Sequence, residues 1–308
     1  MKAVRIHAPC SPEGVVYEDA PRPEVKEDEV LIRVHAAGVN PADWQVMSRE
    51  LPGRQYPWVP GYDVSGVVEL AGSMVSAPQK GDAVYGMLFP APAGAFAEYA
   101  VAKVGQVCGK PTSVGHIAAA ALPIAALTAW QALFDRAQLC AGQRVLIHAA
   151  AGGVGHLAVQ LAKLRGAYVF GTGSAANTDF LHIIGVDEAI DYTAVRFENV
   201  ARNIDIVLDP FGGEIATRSL PVLRKGGILV SLKDVDVSVA ATARGKRVEY
   251  LLASADRTQL QEITRLVDSG KLWPNIQDVF PLSEARRALE ISKQGHTRGK
   301  IVLRAPGI

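Results

Sequence analysis

The chain has 308 residues, which at roughly 150 residues per domain predicts about two domains. A hydrophobic fraction of 49%, a charged fraction of 20% and 29 glycines describe a chain able to bury a large core rather than a disordered or fibrous one. Thirty-two Lys and Arg against thirty-one Asp and Glu leave a net charge of +1, so no global field draws the chain to nucleic acid or to an anionic membrane.

The longest apolar run, Ile117 to Leu127, is interrupted by Pro123 and falls short of the roughly 18 residues a membrane span needs. Lys2 and Arg5 are followed by no apolar stretch of about 7 to 15 residues, so no secretory signal is read and a cytoplasmic location is expected. Cys10, Cys108 and Cys140 stand singly and far apart, which excludes a dense disulfide framework and any four-cysteine zinc site.

From Lys2 to about Val104 short apolar runs alternate with turn signals: Val4–Ile6, Val15–Tyr17, Val30–His35, Val64–Leu70, Ala83–Leu88 and Phe96–Val101. This predicts a β-rich first part. Beyond Ile117 comes an Ala/Leu-rich helical stretch, then strands at 144–149, 168–172, 189–191, 204–209 and 228–232 alternating with helices at 154–164, 176–184 and 215–223. Such alternation predicts an α/β domain with a doubly wound parallel sheet, and Gly166 and Gly185 fall where helices would end. The basic cluster Arg244-Gly-Lys-Arg247 reads as an exposed loop. A helix from Arg257 to Ser269, a strand near Val279, a helix from Ser283 to Lys293 and a strand from Lys300 to Leu303 complete the chain.

The sharpest motif is Val145-Leu-Ile-His-Ala-Ala-Ala-Gly-Gly-Val-Gly155, an apolar strand entering a helix whose Val154, Ala158, Leu161 and Leu164 recur at helical spacing. Ala150, Gly152 and Gly155 occupy the three positions of the dinucleotide fingerprint: one for the tight turn, one for approach to pyrophosphate, one for helix–strand packing. With Gly153 and Val154 they are the expected pyrophosphate site, where backbone N–H groups and the helix dipole favour an anion. His156 follows in the first helical turn.

An acid at the end of the second strand would hydrogen-bond a ribose 2′-hydroxyl, but that position reads Phe170-Gly-Thr-Gly-Ser174. Its absence favours NADP(H). No Lys or Arg lies between Arg165 and Arg196, so Thr172, Ser174, Asn177 and Tyr192 are the expected neutral donors to the 2′-phosphate. Phe211, in Asp209-Pro-Phe-Gly-Gly213 at the fourth strand's end, is placed to pack on a nicotinamide ring.

Further stretches carry a family resemblance: Ala36-Ala-Gly-Val-Asn40-Pro-Ala-Asp43, Pro60-Gly-Tyr-Asp-Val-Ser-Gly-Val67, Ala95-Phe-Ala-Glu-Tyr99, Leu122-Pro-Ile-Ala-Ala-Leu-Thr128-Ala-Trp and Gly295-His-Thr-Arg-Gly-Lys300-Ile-Val-Leu. Over nearly its whole length the chain resembles the zinc-independent quinone oxidoreductase (zeta-crystallin-like) branch of the medium-chain dehydrogenase/reductase superfamily. The resemblance implies a GroES-like β-barrel catalytic domain (1–121 and 265–308) flanking a Rossmann NADP(H)-binding domain (122–264), with the active site in the cleft between them. Homodimers are common in this family.

Zinc-dependent relatives place a Cys at the position that looks like Asn40 and a His-Glu pair at the one that looks like Tyr62-Asp63. Losing thiolate and imidazole argues against zinc there. Without a Lewis acid, hydride addition to an already electrophilic acceptor stays feasible, which points to quinones or α,β-unsaturated carbonyls as the small-molecule substrate. The resemblance puts Asn40 and Thr128 near nicotinamide and substrate, leaves Tyr56 and Tyr62 as phenolic donors, and sets Lys300 and Arg298 near the cofactor. Two alternatives stay open: an enoyl or alkene reductase of one pathway, and an NADPH-binding regulatory or RNA-binding protein without turnover. Against the latter stand the near-zero charge and the lack of a basic stripe interleaved with aromatics.

Overall fold

Strand β3 (Glu29–Val39) is apolar along most of its length and buried apart from Arg33 and the half-buried His35, the pattern of a strand with neighbours on both sides and a core on both faces. The computed structural model describes residues 1–50, 52–89, 94–234 and 238–307, and the chain divides into two compact units, 1–127 with 254–308, and 128–253.

The first unit contains β1 (Lys2–Arg5), β2 (Val16–Asp19), β3, β4 (Asp63–Ala71), β5 (Ala83–Met87), β6 (Tyr99–Lys103) and β7 (Val107–Gly109). The second holds β8 (Arg144–Ile147), β9 (Tyr168–Gly173), β10 (Glu188–Asp191), β11 (Ile204–Asp209), β12 (Leu223–Ser231) and β13 (Arg247–Tyr250). Then β14 (Ile276–Pro281) and β15 (Lys300–Arg304) return to the first unit.

The first unit's main sheet runs β14-β15-β3-β4-β5-β7, with β6 also paired to β3. On one side of β3, β6 covers residues 29–33 and β15 covers 36–39; β4 lies antiparallel on the other. The C-terminal strand is thus built into the sheet begun by the N-terminal segment. A core of Val, Ile, Ala and aromatic side chains, among them Ile32, Val64, Val84, Phe96, Leu289 and Ile301, closes around this sheet.

The second unit is an all-parallel sheet in the order β10-β9-β8-β11-β12-β13. This is the doubly wound α/β arrangement expected. Strand order reverses between β8 and β11, and ligands of such sheets bind beyond the carboxyl ends of the strands at that point. Gly166 and Gly185 end their helices with φ of 79° and 102°, as their type and spacing predict.

Three elements differ from the sequence expectation. The helix expected over 215–223 runs Gly213–Ser219: Leu220 still has helical dihedrals, but Pro221 has no N–H with which to continue the ladder. The basic stretch expected as an exposed loop leads into β13 from Arg247 on, whose parallel partner is β12. The return to the first unit, expected at 265, comes before the helix Arg257–Asp268. That helix buries Leu260, Ile263 and Val267, and the fully buried Tyr85 hydroxyl of β5 donates to Leu260 O at 2.8 Å and lies 3.0 Å from Thr264 Oγ1.

Removing that hydroxyl in Tyr85→Phe is expected to cost about 1 to 2 kcal/mol, read as a lower urea midpoint at unchanged slope.

Candidate functional site

Strand register brings three distant polar residues together inside the first unit. Ile301 pairs with Val39, so Lys300 falls opposite Asn40. Ala36 pairs with Ser65, so Asp63 falls beside Gly38. Asn40 Nδ2 donates to Asp63 Oδ2 at 2.9 Å, the Lys300 ammonium donates to Asn40 Oδ1 and, at 3.2 Å, to Asp63 Oδ2, and Ile124 N donates to Asp63 Oδ1 at 2.7 Å. Gly38 makes room: a Cβ there would stand 2.4 Å from Ala120 O and 2.7 Å from Asp63 Oδ2.

Asn40 also precedes a short helix, Pro41–Met47, with Pro at its first position. Asp43 Oδ2 accepts from Asn40 N at 2.7 Å, the backward half of a capping box. The Asn-Pro-x-Asp pattern is a signal for this helix that reading Asn40 through the family resemblance passed over.

The two carboxyls differ in charge state for a physical reason. Both are fully buried. Burial pushes Asp63 up, but an ammonium, an amide N–H and a backbone N–H converge on it and hold it as the anion of the pair. Asp43 receives backbone N–H groups while its Oδ1 finds no partner among the described residues. Burial, with Asp63 close by, pushes its carboxyl up to about 8, so Asp43 is protonated at neutral pH.

Lys300 was expected at the cofactor. With 3% exposure its ammonium donates to Asn40 and Asp63, because β15 pairs with β3. Tyr62 is buried, edge-on to Phe89 at 5.2 Å and 6.4 Å from the Trp58 ring; burial raises its phenol well above the usual value. The Tyr56 hydroxyl oxygen is buried with no partner among the described residues. Phe89 also lines a groove of about 760 Å³ with Met74, Val104, Lys103 and Arg257.

In the second unit the turn after β8 takes its left-handed residue at Ala149, φ 49°, one position before the first fingerprint position, Ala150. Gly152 N closes the turn on Ala149 O at 2.8 Å. A Cβ on Gly155 would stand 2.2 Å from Ala149 O and 2.8 Å from Ala150 Cα, so the helix Gly155–Leu164 can start this close to the strand only from glycine. No side chain caps that helix, and Gly152, Gly153 and Val154 lead into it half-exposed. His156, fully buried, sets Nδ1 2.8 Å from Gly152 O; it braces the turn from inside.

Thr172 does not present its hydroxyl as a phosphate donor. It accepts from Ala149 N at 3.2 Å and lies 3.3 Å from His148 Nδ1, while His148 Nε2 is 2.9 Å from Ser219 Oγ. The other expected donors are brought together: Asn177 Nδ2 donates to Ser174 Oγ at 3.1 Å, and Tyr192, 51% exposed, hangs its backbone N–H on Gly173 O at 3.1 Å. Phe211, 57% exposed, sits in a turn whose N–H groups at 211 and 212 are held by the buried Asp209 carboxylate at 2.9 and 3.0 Å. That anchor was not foreseen, although an acid closing an apolar strand before Pro is its signal. Thr128 is buried within the helix Pro123–Trp130 and opens the second unit.

A dinucleotide turn at the switch point of a doubly wound sheet, in one chain with a largely antiparallel sheet unit, points to a nucleotide-dependent dehydrogenase or reductase. Residues 26–112 match the alcohol dehydrogenase GroES-like domain family, and 184–303 the family described as zinc-binding dehydrogenase. The chain is 36% identical over 299 residues to the chloroplastic quinone-oxidoreductase homolog of Spinacia oleracea, covering 91% of each chain. It is 34% identical over 293 residues to the chloroplastic NADPH-dependent alkenal/one oxidoreductase of Arabidopsis thaliana, covering 91% of this chain and 73% of that one. The solved quinone oxidoreductase from Coxiella burnetii superposes with a TM-score of 0.93 at 35% identity over 99% of both chains. The chain belongs to the quinone oxidoreductase branch of the medium-chain dehydrogenase/reductase superfamily and is an oxidoreductase. No helix among the described residues is long and apolar enough to cross a membrane.

Gly155→Ala is expected to weaken NADPH binding at least about tenfold, measured by quenching of protein fluorescence, since either the turn or the helix start must move. Stability should also be pH-dependent on both flanks. Burial holds His116 down to about 4 and His148 to about 3, so stability is complete above the usual histidine value of 6.5 and falls as pH drops towards those values. Asp43, raised to about 8, contributes stability that is fully present below the usual carboxylate value and lost as pH rises through about 8. A thermal-melt series should therefore peak near pH 6.5, and Asp43→Asn should flatten the alkaline side and steepen the acid side.

Proposed function

We propose that the chain is an NADPH-dependent, zinc-independent reductase that delivers hydride to quinones or to α,β-unsaturated carbonyl compounds. The observation that carries the metal-free reading is the Asn40–Asp63–Lys300 network. At the position where the resemblance would put a metal ligand, a carboxamide oxygen is occupied by an ammonium and the adjacent carboxylate already receives three donors. No ligand set for tetrahedral zinc is left there, and among the described residues no group of three or more His, Cys, Asp or Glu is placed to hold a metal.

The second unit fits NADP(H). Gly155 and Gly152 supply the close approach, the uncapped helix start supplies N–H groups for pyrophosphate, and Ser174, Asn177 and Tyr192 surround the place of the adenosine ribose without an acid at the end of β9. When bound, NADPH supplies the hydride. The chain's own residues hold and polarise. The exposed Phe211 ring offers an apolar face at the end of β11, and the Asn40 amide offers an N–H to an oxygen that gains negative charge as the acceptor is reduced. The Tyr56 hydroxyl and the Tyr62 phenol, which burial raises, can each donate a hydrogen bond. The names of the relatives, a quinone-oxidoreductase homolog and an alkenal/one oxidoreductase, support both acceptor classes.

The test follows NADPH absorbance with a panel of quinones, 2-alkenals and 2-alkenones, with NADH in parallel and a chelator present. Turnover with NADPH that the chelator leaves unchanged is expected; loss of activity on chelation would overturn the metal-free reading. Asn40→Ala should lower kcat/KM by roughly ten- to a thousandfold, as removing a transition-state donor does.

A further inference from the structure

A carboxamide is nearly symmetric in shape but opposite in polarity at its two ends, so an asparagine that must donate has to be prevented from turning over. In Asn40 both ends are held by groups of fixed polarity. Lys300 has donors only and meets Oδ1; the ionised Asp63 has acceptors only and meets Nδ2. Turning the amide over would set N–H groups against an ammonium and an oxygen against a carboxylate, two repulsions in place of two attractions, inside a site where the partners are 3% and 0% exposed. The main chain is held as well, since Asn40 N donates to Asp43 and Pro41 follows. One N–H of the amide is used by Asp63; the second meets no acceptor among the described residues and is the one left to offer a ligand.

We infer that Lys300 and Asp63 are positioning residues that lock the Asn40 carboxamide with its second N–H presented to the oxygen of the acceptor. This rests on the reductase reading above and adds to it the reason a buried ion pair sits beside an amide. Lys300 acts through Asn40 and touches neither acceptor nor cofactor. Its partners lie 260 and 237 residues away in sequence, so the clamp also requires that the C-terminal strand be seated before Asn40 is competent. A flipped amide would turn its carbonyl towards a developing oxyanion, so loss of the clamp lowers kcat and leaves NADPH affinity nearly as it was.

The test uses the full-length protein with asparagine side chains labelled with ¹⁵N. There are five asparagines, 40, 177, 199, 203 and 275, and Asn40→Ala assigns the pair of interest. In the wild type the Nδ2 hydrogens of Asn40 should exchange with solvent at least about a hundredfold more slowly than in Lys300→Met. In Lys300→Met kcat should fall about ten- to a hundredfold with the NADPH Kd changed less than about threefold, and Lys300→Arg should restore part of it. In an Asn40→Ala background Lys300→Met should cost no further activity, because a residue acting only through Asn40 has nothing left to act on.

If Lys300→Met does not fold because Asp63 is left buried and unpaired, Lys300→Met combined with Asp63→Asn removes both charges and serves in its place. Unchanged amide exchange, or losses that multiply in the double variant, overturns the clamp while the reductase reading stands. A wild-type protein that oxidises NADPH with no acceptor in the panel overturns the reductase reading, and the catalytic purpose of the clamp with it, whatever the exchange data show.

Discussion

The first unit depends on one buried ion pair. Lys300 opens the C-terminal strand and Asp63 opens the strand that follows the first helix, and each would be costly inside a protein without the other. Their meeting ties β15, β3 and β4 to one another and, through Ile124 N, fixes the start of the helix Pro123–Trp130. The pair is therefore possible only when both ends of the chain are in register. The glycine at position 38 is the geometric condition for it, because any side chain there would collide with Asp63 and with Ala120 O.

Around that pair the fold sorts two aspartates into opposite roles. Asp63 receives donors on both oxygens and is an anion; Asp43 receives donors on one oxygen only and keeps its proton. Had both been ionised, two negative charges would share a dry interior with a single ammonium. With one neutral, the interior balances, and Asn40 between them is held by side chain and main chain alike. His148 stays neutral for a different reason: burial, with Arg218 nearby, holds its pKa down, while its two ring nitrogens face hydroxyls.

The second unit works by exclusion of atoms. Gly155 brings a helix start against the carbonyl of Ala149, and the left-handed turn falls on an alanine that the neighbouring backbone keeps there. Thr172, expected as a phosphate donor, and His156 brace this turn from inside. The surface left for a ligand is consequently backbone and small neutral side chains, with the apolar Phe211 at the end of the adjacent strand β11.

Sequence alone determined what depends on near neighbours. The alternation of apolar runs gave most of the strands, though not β7 or β13, Gly166 and Gly185 ended their helices where a left-handed residue is needed, and Ala149 to Gly155 spelled out a strand–turn–helix whose close packing demands glycine. The helix that overran Pro221 was a misreading of a signal that was present. Tertiary structure alone decided what depends on which strand lies beside which. That the Lys300 ammonium reaches Asn40 follows from the pairing of Ile301 with Val39. That Thr172 turns its hydroxyl inward follows from β9 lying beside β8, and the helix Arg257–Asp268 belongs to the first unit because Tyr85 is there to meet it. A side chain's hydrogen-bonding capacity is fixed by its chemistry, but the partner that uses it is chosen by register across hundreds of residues, and no local pattern carries that information.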